Sequence, residues 1–195
     1  MPLSESLSDR DAYLAFFRGA EALKDTFRNS WTSAGRREST AEHCWRLCLM
    51  AVTLADELPG VDLTRLLELL ILHDLGEAVR GDIPAPLQGP DKTAEERSDL
   101  VGLLAALPAP VAARLLARWD EYTAATTPEA RIAKGLDRLE TVLQHTQGAN
   151  PADFDYAFNL GYGQDHTAAH PLIAELRRPV DAETARLARG GPATP

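Results

Sequence analysis

The chain is organised around LLILHDLGE, residues 69–77, in which an apolar run ends in the adjacent pair His73 and Asp74. Glu77 follows His73 by four residues, which is about one turn of a helix. Burying ionisable groups beside so many leucines is costly unless something pairs with them. Because a divalent cation is the simplest such partner, the stretch predicts metal-assisted hydrolysis, with a phosphate ester as the favoured substrate.

Upstream of this stretch, the sequence predicts two helices joined by a loop. Apolar residues recur at three- and four-residue steps over residues 9–28, which is typical of an amphipathic helix, and residues 29–38 follow as the loop. Ser39 and Glu42 form a capping box, with a hydroxyl at the N-cap and a carboxylate three residues on. The helix that they begin is predicted to run to about residue 58. It is apolar nearly all round, so we expect it to be central.

Downstream, the pattern remains helical. Asp62 is the predicted N-cap of the helix that contains the opening stretch, and that helix is predicted to end near residues 81–84. Thr127 and Pro128 give a strong start signal for a later helix, in which Asp137 borders an apolar stripe. The remaining predicted helices cover residues 92–107, 108–122, 153–160 and 172–189. No alternating strand pattern of useful length is present, so the sequence predicts an all-α bundle in one domain, residues 1–195.

Composition narrows the class of function. The chain has 195 residues and a net charge of −9, which argues against binding a nucleic acid polymer because such proteins need a basic face. The first residues lack the basic and apolar segments of a secretory signal, and no apolar stretch approaches a membrane span. Cys44 and Cys48 lie four apart on a predicted helix and are interpreted as small reduced thiols, which favours a cytoplasmic location.

Four candidate metal ligands lie on three predicted helices: His43, His73, Asp74 and Asp137. Two imidazoles and two carboxylates suit Mn, Co, Fe, Mg or Zn, and four ligands on an octahedral ion leave room for water and a substrate oxygen. Glu77 is a candidate general base or acid. Taken singly, each residue has an ordinary alternative: a core histidine, a solvent-facing aspartate, a surface glutamate. Their combination favours the metal site.

At these residues the sequence resembles the HD-domain metal-dependent phosphohydrolases, whose signature H…HD…D is matched by His43, His73-Asp74 and Asp137. The closer similarity is to the HD-domain 5′-deoxynucleotidases, and it is carried by residues 38–43, 73–84 and 136–140. It covers about residues 10–147, so residues 150–190 are expected to form a helical C-terminal extension. The resemblance implies one divalent metal ion, hydrolysis of deoxyribonucleoside 5′-monophosphates, and a homodimer.

The resemblance also implies roles for individual residues. Glu77 matches the catalytic acid of the family, Arg28 an arginine that orients the phosphate, and Trp31 a tryptophan that packs on the deoxyribose. Asp82 matches a residue that contacts the sugar or its surroundings. From residue type alone, each of these residues could instead have a purely structural role: Arg28 as a solvated cation, Trp31 as a core aromatic and Asp82 as a turn residue.

Two other functions remain open at this point. An HD phosphohydrolase could act on another nucleotide or phosphomonoester, although a triphosphate or a signalling nucleotide calls for extra basic residues around the site. The same residues could also form a structural network in a non-catalytic, metal-containing helical binding module. Residues 75–136 contain no histidine, and this favours one metal over two; His145, His166 and His170 are interpreted as structural or surface residues.

Overall fold

The computed structural model describes residues 3–191, and their side chains from residue 9 onward. It is helical apart from one two-stranded sheet, so the predicted all-α class is confirmed. The strands are β1 (Phe27–Trp31) and β2 (Arg37–Ser39), and the α-helices are α1 (Leu3–Ala20), α2 (Thr40–Thr53), α3 (Leu63–Leu72), α4 (Glu77–Arg80), α5 (Lys92–Leu104), α6 (Ala109–Ala124), α7 (Pro128–Gln147), α8 (Tyr156–Asn159), α9 (Gln164–Thr167) and α10 (Pro171–Ala188). Among these described helices, none is long and apolar enough to cross a membrane.

Two packed clusters of apolar side chains hold the helices together. In one cluster, α2, α3 and α7 pack against one another, and Ile173 of α10 closes it from outside. In the other cluster, α5 and α6 pack around Trp119 and the end of α3. Helix α7 contributes buried residues along its whole length, so it is the element against which the others are positioned.

The region before α2 differs from the prediction. The helix expected over residues 9–28 ends at Ala20, and a 3₁₀ turn at Glu21–Lys24 leads into β1. Strands β1 and β2 form an antiparallel hairpin with an irregular register, so a helix at Arg28 and a loop over residues 29–38 were wrong predictions. The strands carry charged and polar residues, and they are held by partners distant in the sequence: Arg28 and Ser30 bond to Thr141 and His145 of α7.

Helix α2 begins as the sequence predicts but is less buried. Its capping box is complete, because the Ser39 side chain accepts from Glu42 N and the Glu42 side chain accepts from Ser39 N. However, Trp45, Leu49 and Val52 are 64%, 48% and 54% exposed, so one apolar face of this helix points away from the core. The opposite face of α2 faces the core and is fully buried at Leu47 and Ala51.

The opening stretch does not form one continuous helix. Helix α3 ends at Leu72, and the next residues make tighter hydrogen bonds, with Leu75 N donating to Leu72 O and Glu77 N to Asp74 O at 3.1 and 3.0 Å. Gly76 makes this turn possible, because a Cβ there would lie 2.7 Å from the backbone oxygen of Glu96 in α5. The turn changes the directions of His73 and Asp74 relative to a regular helix.

Candidate metal centre and its cavity

The structure brings the four predicted metal ligands to one place. His43 lies in the first turn of α2, His73 and Asp74 lie in the turn after α3, and Asp137 lies in the middle of α7. His73 Nε2 is 3.0 Å from Asp74 Oδ2 and 3.9 Å from Asp137 Oδ1. His43 Nε2 is 3.9 Å from Asp74 Oδ2 and 3.2 Å from Asp137 Oδ1. These separations are the edges of a cluster around one central point.

Two buried nitrogen atoms show that this cluster fits a metal ion. The Nε2 atoms of His43 and His73 are inaccessible to solvent and have no hydrogen-bond partner within the part of the chain that the structure describes. Carboxylate oxygens lie beside these nitrogens but not in hydrogen-bonding geometry. A buried polar atom without a partner is costly, and a divalent cation at the central point would satisfy both nitrogens at once.

The other nitrogen of each imidazole fixes the orientation of the ring. His73 Nδ1 is 2.9 Å from the backbone oxygen of Leu70, which can only accept, so Nδ1 carries a proton and Nε2 is the ring atom that faces the cluster. His43 Nδ1 is 2.5 Å from Glu140 Oε2. A histidine that donates from one nitrogen to an oxygen while the other binds a metal is the usual arrangement in metalloproteins.

The two aspartates are held by different neighbours. Tyr122 donates its hydroxyl to Asp137 Oδ2 at 2.6 Å, which leaves Oδ1 directed at the cluster. Arg28 donates from Nη1 to Asp74 Oδ2 at 3.3 Å and from Nη2 to Thr141 Oγ1 at 3.1 Å. Although burial raises the pKa of Asp74, the charges of His73 and Arg28 outweigh it and hold that pKa below its usual range. Asp74 is therefore an anion at neutral pH.

Glu77 is buried beside the cluster and has a very different pKa. Its side chain accepts a hydrogen bond from Thr40 Oγ1 at 3.1 Å. Burial, followed by the charges of Asp74 and Asp82, raises the pKa of Glu77 to about 9. In the ion-free protein, Glu77 is therefore a protonated acid at neutral pH, next to an aspartate that is ionised.

A cavity of about 660 Å³ opens directly onto the cluster. Its lining includes all four of the other predicted site residues: Arg28, Trp31, Glu77 and Asp82. Trp31 forms a wall, with its ring edge-on to Phe154 at 6.2 Å between centroids. Asp82 follows Gly81, whose φ of +89° lies in the left-handed region that favours glycine and turns the chain after α4. His43 is fully buried behind the cavity.

Several residues around the site were not assigned from the sequence. Glu140, which is fully buried, holds His43, and it is itself bonded by Arg46 Nε at 2.6 Å. The signal was its position three residues after Asp137 on the same helix face. Tyr122 gave no signal, because its contact with Asp137 joins two helices. His145 was expected to be structural or on the surface; it is half-buried, lines the cavity and pairs with Ser30 and Asn159.

The comparisons with known proteins agree with the fold and with the family that the sequence motifs indicate. Residues 20–177 match the HD-domain family model, so this chain belongs to the HD-domain family, as the sequence motifs indicate. The zebrafish (Danio rerio) protein 5'-deoxynucleotidase HDDC2 is 29% identical over 194 residues, covering 94% of both chains. The human protein of that name is 30% identical over 87% of this chain and 85% of its own.

A solved structure also indicates the fold of a metal-dependent phosphohydrolase. The crystal structure of a "predicted metal-dependent phosphohydrolase" from Magnetospirillum magnetotacticum MS-1 superposes with a TM-score of 0.80 and 31% identity. The match covers 96% of this chain and 97% of that one. The resemblance to the HD-domain 5′-deoxynucleotidases that the sequence motifs indicate is therefore confirmed.

Proposed function

We propose that this protein is a metal-dependent phosphohydrolase that removes the 5′-phosphate from deoxyribonucleoside 5′-monophosphates. The observation that carries the proposal is the group of His43, His73 and Asp74, with Asp137 Oδ1 beside both imidazoles, at a cavity that is also lined by Arg28 and Glu77. The names of the HD-domain relatives support it. His43, His73, Asp74 and Asp137 would hold one Mn, Co, Mg, Fe or Zn ion.

When bound, the ion supplies Lewis acidity, which polarises a phosphoryl group and lowers the pKa of water. Arg28 supplies a planar set of donors, and its side chain is only 11% exposed, so a phosphate beside Asp74 would meet a fixed positive charge there. Arg28 Nε also lies 3.7 Å from Glu38 Oε2, so carboxylates on two sides hold the guanidinium at the cavity wall. Arg28 thus orients the phosphate.

Glu77 is the residue that moves the proton. Burial keeps a proton on its carboxyl group in the ion-free protein. With an ion held by the neighbouring ligands, the ionised form of Glu77 would be favoured, and its carboxyl could either take a proton from water or give one to the leaving oxygen. The hydrogen bond from Thr40 holds the group in place for this role.

Trp31 and Asp82 are the proposed contacts for the sugar. The flat indole of Trp31 forms a wall that would crowd a 2′-hydroxyl, and Phe154 supports it from the side. Asp82 offers carboxylate oxygens at the same cavity. Together they would favour a deoxyribose over a ribose.

A substrate panel tests the proposed function. Protein loaded with Mn²⁺ or Co²⁺ is incubated with dAMP, AMP and dATP, and the release of inorganic phosphate is measured. We expect dAMP to be hydrolysed faster than AMP or dATP. Metal-loaded protein that releases no phosphate from any phosphomonoester would refute the proposal, and preference for dATP would reassign the substrate.

We also propose that the chain is one HD domain, that it forms a homodimer and that it is cytoplasmic. The exposed apolar side chains of Trp45, Leu49 and Val52 support the homodimer, because such patches are commonly buried in interfaces. The free thiols of Cys44 and Cys48 support the location, because reduced cysteines persist there. Light scattering gives the molar mass in solution, and a monomer at micromolar concentration would contradict the homodimer.

A further inference from the structure

Helix α7 places a positively charged side chain, Lys134, in the cavity wall, and this residue belongs neither to the sequence motifs nor to the ligand cluster. Lys134, Lys92 and Arg138 all line the cavity. Two of them are already paired, since Lys92 Nζ lies 3.0 Å from Glu96 Oε1 and Arg138 Nη1 lies 3.1 Å from Asp137 Oδ2. Arg138 also donates to the hydroxyl of Tyr162. Their charges are therefore largely satisfied within the protein.

Unlike Lys92 and Arg138, Lys134 is not paired with a carboxylate of any described residue. In the part of the chain whose side chains are described, its ammonium group has no carboxylate within 4.0 Å, the limit for a salt bridge, and no hydrogen bond. Its Nζ lies 4.2 Å from the centre of the Tyr122 ring, and the side chain is half-buried. Burial, followed by the charge of Arg138, lowers the pKa of Lys134. A cation–π contact offsets only part of the cost of removing an ammonium group from water.

The position of Lys134 connects it to the metal cluster. It precedes Asp137 by three residues on α7, so the two side chains share one helix face. Tyr122, on which Lys134 rests, bonds to Asp137 and packs against the His73 ring at 4.8 Å between centroids. Lys134 thus borders the cluster on the side of Asp137, whereas Arg28 contacts it at Asp74.

We infer that Lys134 binds an oxygen of the substrate phosphate that Arg28 does not hold, an inference that rests on the proposed function. A phosphate monoester carries about two negative charges at neutral pH, and Arg28 matches only one of them. Lys134 supplies the second positive charge, and the phosphate in turn gives Lys134 an anionic partner at contact distance, which no described side chain provides. This pairing makes the terminal, doubly charged phosphate the preferred ligand of the cavity.

The test measures the binding of inorganic phosphate, not turnover. Metal-loaded wild-type protein, Lys134→Met and Lys92→Met are titrated with phosphate in a calorimeter. Because a charge-assisted hydrogen bond is lost, we expect Lys134→Met to weaken phosphate binding at least about tenfold. Lys92→Met removes a paired cation from the same cavity and is expected to change the affinity by less than about twofold. Lys134→Arg keeps the charge and is expected to restore most of the binding.

Three controls make the result decisive. Metal content and the near-ultraviolet circular dichroism spectrum establish that each variant is folded and loaded, and Lys134→Gln replaces Lys134→Met if the latter does not fold. Phosphate affinity in the folded Lys134 variant equal to that of the wild type would overturn the inference, as would a wild type that does not bind phosphate. Wild-type protein that binds phosphate through Lys134 but does not hydrolyse dAMP would refute the proposed function alone.

Discussion

The two histidines that face the same central point are held in different ways. His73 donates from Nδ1 to the backbone oxygen of Leu70, which lies three residues earlier in the last turn of α3. His43 relies on the side chain of Glu140, a residue 97 positions away, which is held in turn by Arg46. The orientation of His73 is therefore a local consequence of its place at the end of α3, whereas that of His43 requires the tertiary packing of α2 against α7.

This difference separates two kinds of support for one site. A backbone oxygen remains in place when the side chain of its residue changes, so the support of His73 is insensitive to substitution at Leu70. A carboxylate support can be removed by one substitution, and it also adds a negative charge next to the imidazole. We therefore expect the two halves of the cluster to respond differently to mutation.

The largest effect is expected on turnover, from a substitution at Glu77 that leaves both histidines and their supports unchanged. Glu77→Gln keeps the volume of the side chain and an oxygen that can accept from Thr40 but cannot move a proton. We expect turnover of dAMP to fall about 10²- to 10⁴-fold with metal binding unchanged. Steady-state kinetics and metal analysis on the same preparation check this, and a parallel loss of metal would assign Glu77 to the metal cluster instead.

The second effect concerns the support of His73. Leu70 is fully buried in the core, and Leu70→Ala is expected to reduce the free energy of unfolding by about 2–5 kcal/mol because it leaves a cavity. The backbone oxygen persists, so the metal affinity of the folded protein is expected to change by less than about twofold. Chemical denaturation and metal titration measure the two quantities. A large loss of metal affinity in folded protein would show that the support of His73 is not local.

The third effect concerns the support of His43. Glu140→Gln removes the charge of the carboxylate that orients this imidazole, and we expect metal affinity to fall about 10- to 100-fold. Glu129→Gln is the matched control, because Glu129 is also a buried glutamate of α7 but contacts the backbone of Asp62. Competition with a fluorescent chelator gives both metal affinities. Equal affinities for the two variants would show that Glu140 does not support His43 as a metal ligand.

The smallest effect is on stability in the absence of metal. The pKa of Glu77 is raised from 4.5 to about 9 in the folded protein, so the folded state retains a proton that the unfolded chain releases. Its stabilising contribution is complete below pH 4.5 and is lost as pH rises towards 9. Relative to wild type in chelator, Glu77→Gln is therefore expected to gain at least roughly 2 °C in melting temperature between pH 5 and pH 8. A constant difference between the two proteins would contradict this pKa.

The sequence carried clear local signals for the metal cluster. The capping box of α2 locates His43, the end of an apolar run locates His73 and Asp74, and the stripe of α7 locates Asp137. Each signal lies within one helix, where periodicity and capping act over a few residues. For this reason all four side chains could be proposed as one group before their distances were known.

The residues around the metal cluster could not be predicted from local sequence patterns. The hairpin that carries Arg28 and Trp31 has short strands, and side chains of β1 bond to Thr141 and His145 of α7. The pairs Tyr122 with Asp137 and His43 with Glu140 join different helices, so no local pattern reveals them. Trp45 shows the converse case, because an apolar residue on a central helix does not have to face the core.

The central claim is that His43, His73, Asp74 and Asp137 hold one divalent ion, and equilibrium titration of Co²⁺ into chelator-treated protein tests it most directly. We expect one tightly bound Co²⁺ per chain in the wild type, and no tight binding in folded His43→Ala, His73→Ala or Asp137→Ala variants. Wild-type protein that binds no Co²⁺, or folded variants that still bind it with wild-type affinity, would contradict the account.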